Sequence, residues 1–209
     1  MDAAVIRAMQ KWPDVPAVSG WLSLDHAGHW RHHPQGDALG HAAGVGERIL
    51  HAGLIRFLNR NYQSDTQGRW YVQNGPQRVY VRLDGAPLIF SLAADGQHLQ
   101  DHTGNPVVQV LEWYLNAQGW MYLRTERGPG LIAGRDLPAL AEQLRNTQGQ
   151  GLDALELERP QHSRGWNTPA YPQPCPLTVW PACVSPPLEL AYIALPETDP
   201  LEPSTESLA

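Results

Sequence analysis

Apolar residues recur at helical spacing in three stretches of the chain and alternate with polar ones through most of the rest. In residues 2–12, Val5, Ile6 and Met9 form one stripe behind Asp2, a candidate N-cap, and Pro13 stops them, which predicts a short amphipathic helix. In "GERILHAGLIRFLNRNY", Ile49, Leu50, Leu54, Phe57 and Leu58 lie opposite Arg56, Asn59 and Arg60. That stripe predicts a helix over about 52–61, preceded by a short strand at Arg48–Leu50. In "RDLPALAEQLRN", Asp136 is placed to cap a third helix, with Pro138 in its first turn and Leu140 and Leu144 on one face.

Between the helices the period drops to two. "GWLSLDHAGHWRHH" reads as a hairpin turning at "DHAG", and a longer run of short strands is punctuated by turn chemistry at "DTQG", "NGP", "LDGAP" and "NAQG". The expected fold is therefore α+β, an antiparallel meander of short strands and hairpins with two or three packed helices. Residues 15–61 and 107–146 both parse as hairpin, short strand and helix, which suggests a repeated motif.

The texture changes after about residue 158. Residues 159–195 hold a high share of the chain's 19 prolines, yet keep Trp166, Tyr171, Val179, Trp180 and "LELAYIAL". Prolines break ladders, but so many large apolar groups call for burial. The domain reading is a globular body over 1–158, a proline-rich arm over 159–195 that docks on the body or on a partner subunit, and an acidic, solvated tail over 196–209.

Charge and cysteine content narrow the class. The net charge is −6, much of it in the tail, so the body lacks the basic surplus that a nucleic-acid binder needs. No run approaches the roughly 20 apolar residues of a membrane helix, and the first residues lack the pattern of a secretory signal. The expectation is a cytoplasmic protein with no membrane or nucleic-acid partner. Its two cysteines, Cys175 and Cys183, read as reduced thiols.

Candidate chemistry is sparse. No phosphate-binding loop, dinucleotide fingerprint or nucleophile elbow occurs in a usable context, and no cofactor is expected. His26, His29, His32 and His33 crowd around Trp30; His29 and His33 share a face of an extended strand, but no completing ligand set accompanies them, so no metal is expected. His98, Asp101 and His102 could form an acid–base group, the basis of an alternative reading as an enzyme, including a metal-assisted hydrolase.

The stretch "WYVQNGPQRVYV" carries the favoured reading. Pro76 cannot donate the bond that closes a tight Asn-Gly turn, so a four-residue loop over 74–77 is expected, pairing Gln73 with Arg78 and Val72 with Val79. One face is then Trp70, Val72, Val79, Val81 and Leu83, which is core. The other carries Arg69, Tyr71, Gln73, Arg78, Tyr80 and Arg82, with Gln77 in the loop. Arg78 and Arg82 would hold an anion, Tyr71 and Tyr80 would stack, and Gln73 and Gln77 would add hydrogen bonds. The function expected is a binding or regulatory module for a small anionic ligand or acidic peptide. The partner is that ligand or another protein, and an assembly component that exchanges its arm in a homodimer is a third reading.

Residues 57–89, "FLNRNYQSDTQGRWYVQNGPQRVYVRLDGAPLI", resemble an uncharacterised proteobacterial family marked by Trp-Tyr-x-Gln-Asn-Gly-Pro-Gln, a resemblance that extends over residues 1–145. More loosely, the order Trp30, "LIRFL", "DTQGRWYV", "VYVRLDGAPL" is similar to the domain of unknown function 1285 family. That second resemblance implies an α+β fold with repeated motifs and a signalling or ligand-binding role. Neither implies a reaction, a cofactor or catalytic residues, and the proline-rich arm departs from the looser pattern.

Overall fold

Three helices and thirteen strands build the computed structural model, which describes residues 1–40 and 44–180. In chain order they are α1 (Ala3–Lys11), β1 (Val18–Leu24), β2 (Trp30–His32), β3 (Glu47–Arg48), α2 (Ala52–Arg60), β4 (Tyr62–Ser64), β5 (Trp70–Asn74) and β6 (Gln77–Leu83). There follow β7 (Leu88–Leu92), β8 (Leu99–Asp101), β9 (Val110–Asn116), β10 (Met121–Thr125), β11 (Gly128–Ile132), α3 (Leu137–Gln143), β12 (Gln161–Trp166) and β13 (Cys175–Trp180), with a short 3-10 turn at Leu152–Ala154. None of these helices is long and apolar enough to cross a membrane.

The fold is α+β, as the periodicity predicts, but its hairpins are joined into two mixed sheets. The first runs β3-β2-β1-β6-β5-β4 and the second β12-β13-β9-β10-β11-β7-β8. Three pairings are parallel, β1 with β6, β11 with β7 and β13 with β9. Each brings together strands far apart in the chain, which a local reading of alternation cannot see.

The two halves share a topology. β1, β2 and β3 are successive antiparallel neighbours, α2 follows, and the β5–β6 hairpin returns to lay β6 parallel to β1. β9, β10, β11, α3 and the β12–β13 hairpin repeat that path, with β13 parallel to β9. Residues 161–180 thus form a hairpin of the second sheet, β12 and β13 with their connection, and place Trp166, Tyr171, Leu177 and Val179 in its core. Pro176 is tolerated because it precedes the β9 ladder, which begins at Leu177, and faces the register shift in β12. The rest of the proline-rich stretch and residues 196–209 lie outside the described residues.

The second sheet separates two apolar clusters by alternation. Trp113, Leu115, Met121 and Leu123 point to one side, with Leu140 and Leu144 of the α3 region and Leu177 and Val179 of β13. Tyr114 and Leu131 point to the other, where Leu22, Leu24 and Trp30, Leu58 of α2, and Val72 and Val81 meet them.

Two expected caps are spent differently. Asp2 makes no capping bond; its carboxylate takes Arg60 Nε at 2.8 Å and Nη2 at 3.1 Å, tying α1 to the end of α2. Asp136 likewise caps nothing and instead accepts the Leu92 amide at 3.2 Å. α2 is capped by His51, whose Nδ1 accepts the Leu54 N–H at 3.1 Å.

Candidate functional site

The β5–β6 hairpin has the expected register, with Val72 opposite Val79 and Gln73 opposite Arg78. Asn74 and Gln77 are themselves a cross-strand pair, so the connection is the two-residue Gly75-Pro76 and not a four-residue loop. Gly75 has φ +59°, which suits the first central position of a type II′ turn, and Pro76 at the second has no N–H to waste.

The polar face of this hairpin is largely self-satisfied. Arg69 donates from Nε to Asp65 Oδ2 at 2.8 Å, lies over the Tyr80 ring at 4.8 Å, and reaches the Tyr80 hydroxyl, which in turn donates to Asp65. Burial pushes the Asp65 carboxyl up, and bonds from Arg69, Tyr80 and Gln67 outweigh it, leaving it below the ordinary value. Arg82 is held by Asp84 and by the carbonyls of Ala38 and Gly44. Tyr71 and Gln73 are buried rather than on an open face; Gln63 donates to the Tyr71 hydroxyl, and Gln73 turns back to the Gly75 carbonyl. Gln77 donates to the Pro16 carbonyl. Arg78 is exposed over the Tyr71 ring at 4.8 Å, and among the described residues no carboxylate pairs with it.

The histidines are taken up separately. His29 faces Asp25, whereas His33 is buried with Nε2 2.9 Å from Ser23 Oγ. Among the described residues no group of three or more His, Cys, Asp or Glu could hold a metal. His98 pairs with Asp95 at 2.6 Å. Asp101 is spent on Thr103, Asn105 and Arg127. His102 is half-buried, edge-on to Trp30 and Tyr62, and accepts the Ile89 N–H at Nδ1, while its enclosed Nε2 has no hydrogen-bond partner among the described residues. Burial lowers its pKa to about 4, against the opposing pull of Asp101.

The concavity that suits a ligand best lies elsewhere. An apolar groove of about 810 Å³ opens between α2 and the first sheet. Leu22, Val72 and Val79 form its floor, and Leu54, Phe57 and Leu58 of α2 form one wall. Trp21, Ile49 and Leu50 line it further, and His32, Glu47, His51, Asn74 and Gln77 supply polar groups. Trp21 and Leu54 are each 42% exposed and Leu50 is 75% exposed, so large apolar side chains meet solvent here. This is the composition and size of a small-molecule pocket, apolar with a few polar groups. A second cleft of about 440 Å³, between Asn59, Tyr62, Trp70, Asn105 and Arg127, is more polar, and its two arginines are already paired, Arg60 with Asp2 and Arg127 with Asp101.

Sequence periodicity identifies the groove's residues as core, because Leu54, Phe57 and Leu58 lie on the helical stripe. The signal for a groove is the excess of that stripe. It runs from Ile49 to Leu58 while the helix begins only at Ala52, so Ile49 and Leu50 line the groove from the connection that precedes the helix.

The model of the DUF2944 family, a "Protein of unknown function (DUF2946)", matches residues 1–173 of this chain. Among curated proteins no relative matches. A crystal structure of a DUF1285 family protein from Silicibacter pomeroyi DSS-3 is similar at 14% identity, covering 86% of this chain and 96% of that one, with a TM-score of 0.48.

Proposed function

We propose, for a chain that belongs to the DUF2944 family of proteins of unknown function, a binding module that takes an apolar or amphipathic molecule in the groove between α2 and the first sheet. The observation that carries this reading is the set of exposed Trp21, Leu50 and Leu54 around a concave floor of Leu22, Val72 and Val79. Leaving such surface in water costs about 25 cal/mol per Å², which an occupant recovers.

N-phenyl-1-naphthylamine, a neutral apolar fluorophore, tests the reading. Saturable binding to the full chain is expected, and Leu54→Glu is expected to remove it while the circular dichroism spectrum stays unchanged. Undiminished binding to a folded Leu54→Glu protein overturns it.

One observation favours a second reading, an anion on the hairpin face. Arg78 stands exposed over Tyr71 with no carboxylate partner among the described residues, which is the arrangement of a cation open to a carboxylate or acidic peptide. Arg78→Ala should then abolish binding of an acidic peptide without unfolding the protein, and retained affinity refutes it.

A further inference from the structure

The register of the first sheet sorts the groove's charged residues by face. Residues paired directly across neighbouring strands point to the same side. Leu22 pairs with Val81 and with His32, and His32 pairs with Glu47, so these four share a face. Val79 lies two residues from Val81 and pairs with Val72, which makes this face the groove floor. Arg48 also borders the groove, but it pairs with Arg31, and alternation turns both to the opposite face.

The floor therefore changes character from one end to the other. Val72, Val79 and Leu22 make it apolar across three neighbouring strands, β5, β6 and β1; His32 follows on β2, and the edge strand β3 ends the row with Glu47. Four strand spacings separate β5 from β3, so the row is about 19 Å long. Glu47 is exposed, and among the described residues no cation pairs with it. His51 is engaged by the Leu54 N–H and Gln77 by the Pro16 carbonyl, which leaves Glu47 as the free charge on this face. Trp21 stacks on His32, the cross-strand partner of Glu47, with ring centroids 6.5 Å apart and 21° between the planes. A half-exposed aromatic ring beside a carboxylate is a setting that favours an ammonium group.

We propose that the groove takes a small molecule with an apolar body and a cationic end, an amine or quaternary ammonium. The body lies over Leu22, Val79 and Val72, and the cation meets Glu47 beside Trp21. The inference rests on reading the groove as the binding site and adds the class of its ligand. A carboxylate at the same end would meet Glu47 as a like charge, so the residue selects against anions as well as for cations. An exposed ion pair with an aromatic neighbour is worth about fivefold in affinity.

Displacement of N-phenyl-1-naphthylamine from the full chain tests the assignment. Three competitors of one chain length are used as monomers: dodecyltrimethylammonium, dodecanol and laurate. The cation is expected to compete about fivefold more strongly than dodecanol, with laurate weakest. Glu47→Gln, at an exposed position, is expected to keep the circular dichroism spectrum and remove the cation's advantage. Dodecanol or laurate competing as strongly as the cation overturns the cationic class while leaving the groove reading intact. An advantage for the cation that persists undiminished in Glu47→Gln overturns the role of Glu47. Absence of saturable fluorophore binding overturns the groove reading and this inference with it.

Discussion

Asp65 accepts the backbone N–H of Arg69 on Oδ1 at 3.0 Å and that residue's Nε on Oδ2 at 2.8 Å, so one carboxylate both closes a turn and holds the side chain that follows it. The signature Asx-x-x-Gly occurs six times in the sequence, and at five of these, Asp25, Asp65, Asp101, Asn116 and Asn146, it builds the same turn; at Asp37 the glycine lacks the positive φ. In each of the five, the glycine N–H bonds the Asx carbonyl, the Asx N–H bonds the carbonyl four residues on, and the glycine has positive φ. Asp25 and Asp101 also hold arginines with their second oxygen, Arg31 and Arg127. A short polar motif thus sets hairpin geometry and neutralises nearby cations together.

Two glycines separate backbone strain from steric exclusion. Gly68 has φ +78° and open space where a Cβ would stand, so Gly68→Ala should cost about 1–2 kcal/mol through its left-handed backbone alone. At Gly20, φ is +84° and a Cβ would sit 2.1 Å from the Gly36 carbonyl oxygen, a contact that backbone cannot yield. Gly20→Ala is expected to fail to give folded protein. Urea unfolding of the two variants checks the contrast, and similar midpoints would contradict it.

Stability should fall on mild acidification. Burial holds His102 near 4 in the folded protein against an ordinary 6.5, so between those values the unfolded chain binds the proton and the folded one does not. Stability therefore rises with pH across that window and is lost as pH falls from about 6.5 toward 4, at about 1.4 kcal/mol per tenfold difference in proton affinity. His33, lowered by burial and then by Arg82, acts in the same direction. The stability contributed by the lowered carboxylates Asp65 and Asp101 is intact across this window and is lost only as pH falls below their ordinary value of about 4. Urea titrations at a series of pH values should show this slope, and His102→Gln, which cannot titrate, should flatten it.

The legible parts of the fold were those written in local physics. The three helical stripes, the Asx-x-x-Gly turns and the register of the β5–β6 hairpin are short-range, and each is found within a few residues of its expected place. The parallel pairing of β1 with β6 is not, since it depends on where a strand some 60 residues on comes back. β12 and β13 are masked by prolines that the ladder accommodates only at a register shift. The groove is the hardest to read, because Leu54, Phe57 and Leu58 lie on the apolar stripe of α2 and look like core in the sequence. Likewise, the hairpin's arginines invite an anion until Asp65 and Asp84, both close in sequence, are seen to reach Arg69 and Arg82 first.

Tyr171 measures how firmly the β12–β13 connection is seated. Its hydroxyl accepts the Leu99 N–H at 2.7 Å and donates to the Val107 carbonyl at 3.3 Å, both buried. Tyr171→Phe keeps the ring but leaves a buried donor and acceptor unsatisfied, at a cost of about 1–3 kcal/mol. A shift of that size in the urea midpoint would show that residues 167–174 are integral to the second sheet's core. No shift would mean that the connection lifts away at little cost.

The last prediction sets Arg69 against Arg78, two arginines stacked on tyrosines of the same hairpin face. Removing Arg69 strips a carboxylate, whose side chain is only 7% exposed, of its cation and the Tyr80 hydroxyl of a neighbour. Arg69→Ala should cost about 1–3 kcal/mol. Arg78 offers only an exposed ring contact, and Arg78→Ala should cost no more than about 1 kcal/mol. A double-mutant cycle with Asp65→Asn should then show strong coupling to Arg69 and none to Arg78, because only Arg69 shares the carboxylate. Equal costs, or coupling of Asp65 to Arg78, would mean that the face acts as one electrostatic unit. The contrast expected here leaves Arg78 as the cation on this face that can be altered to probe anion binding without disturbing the fold.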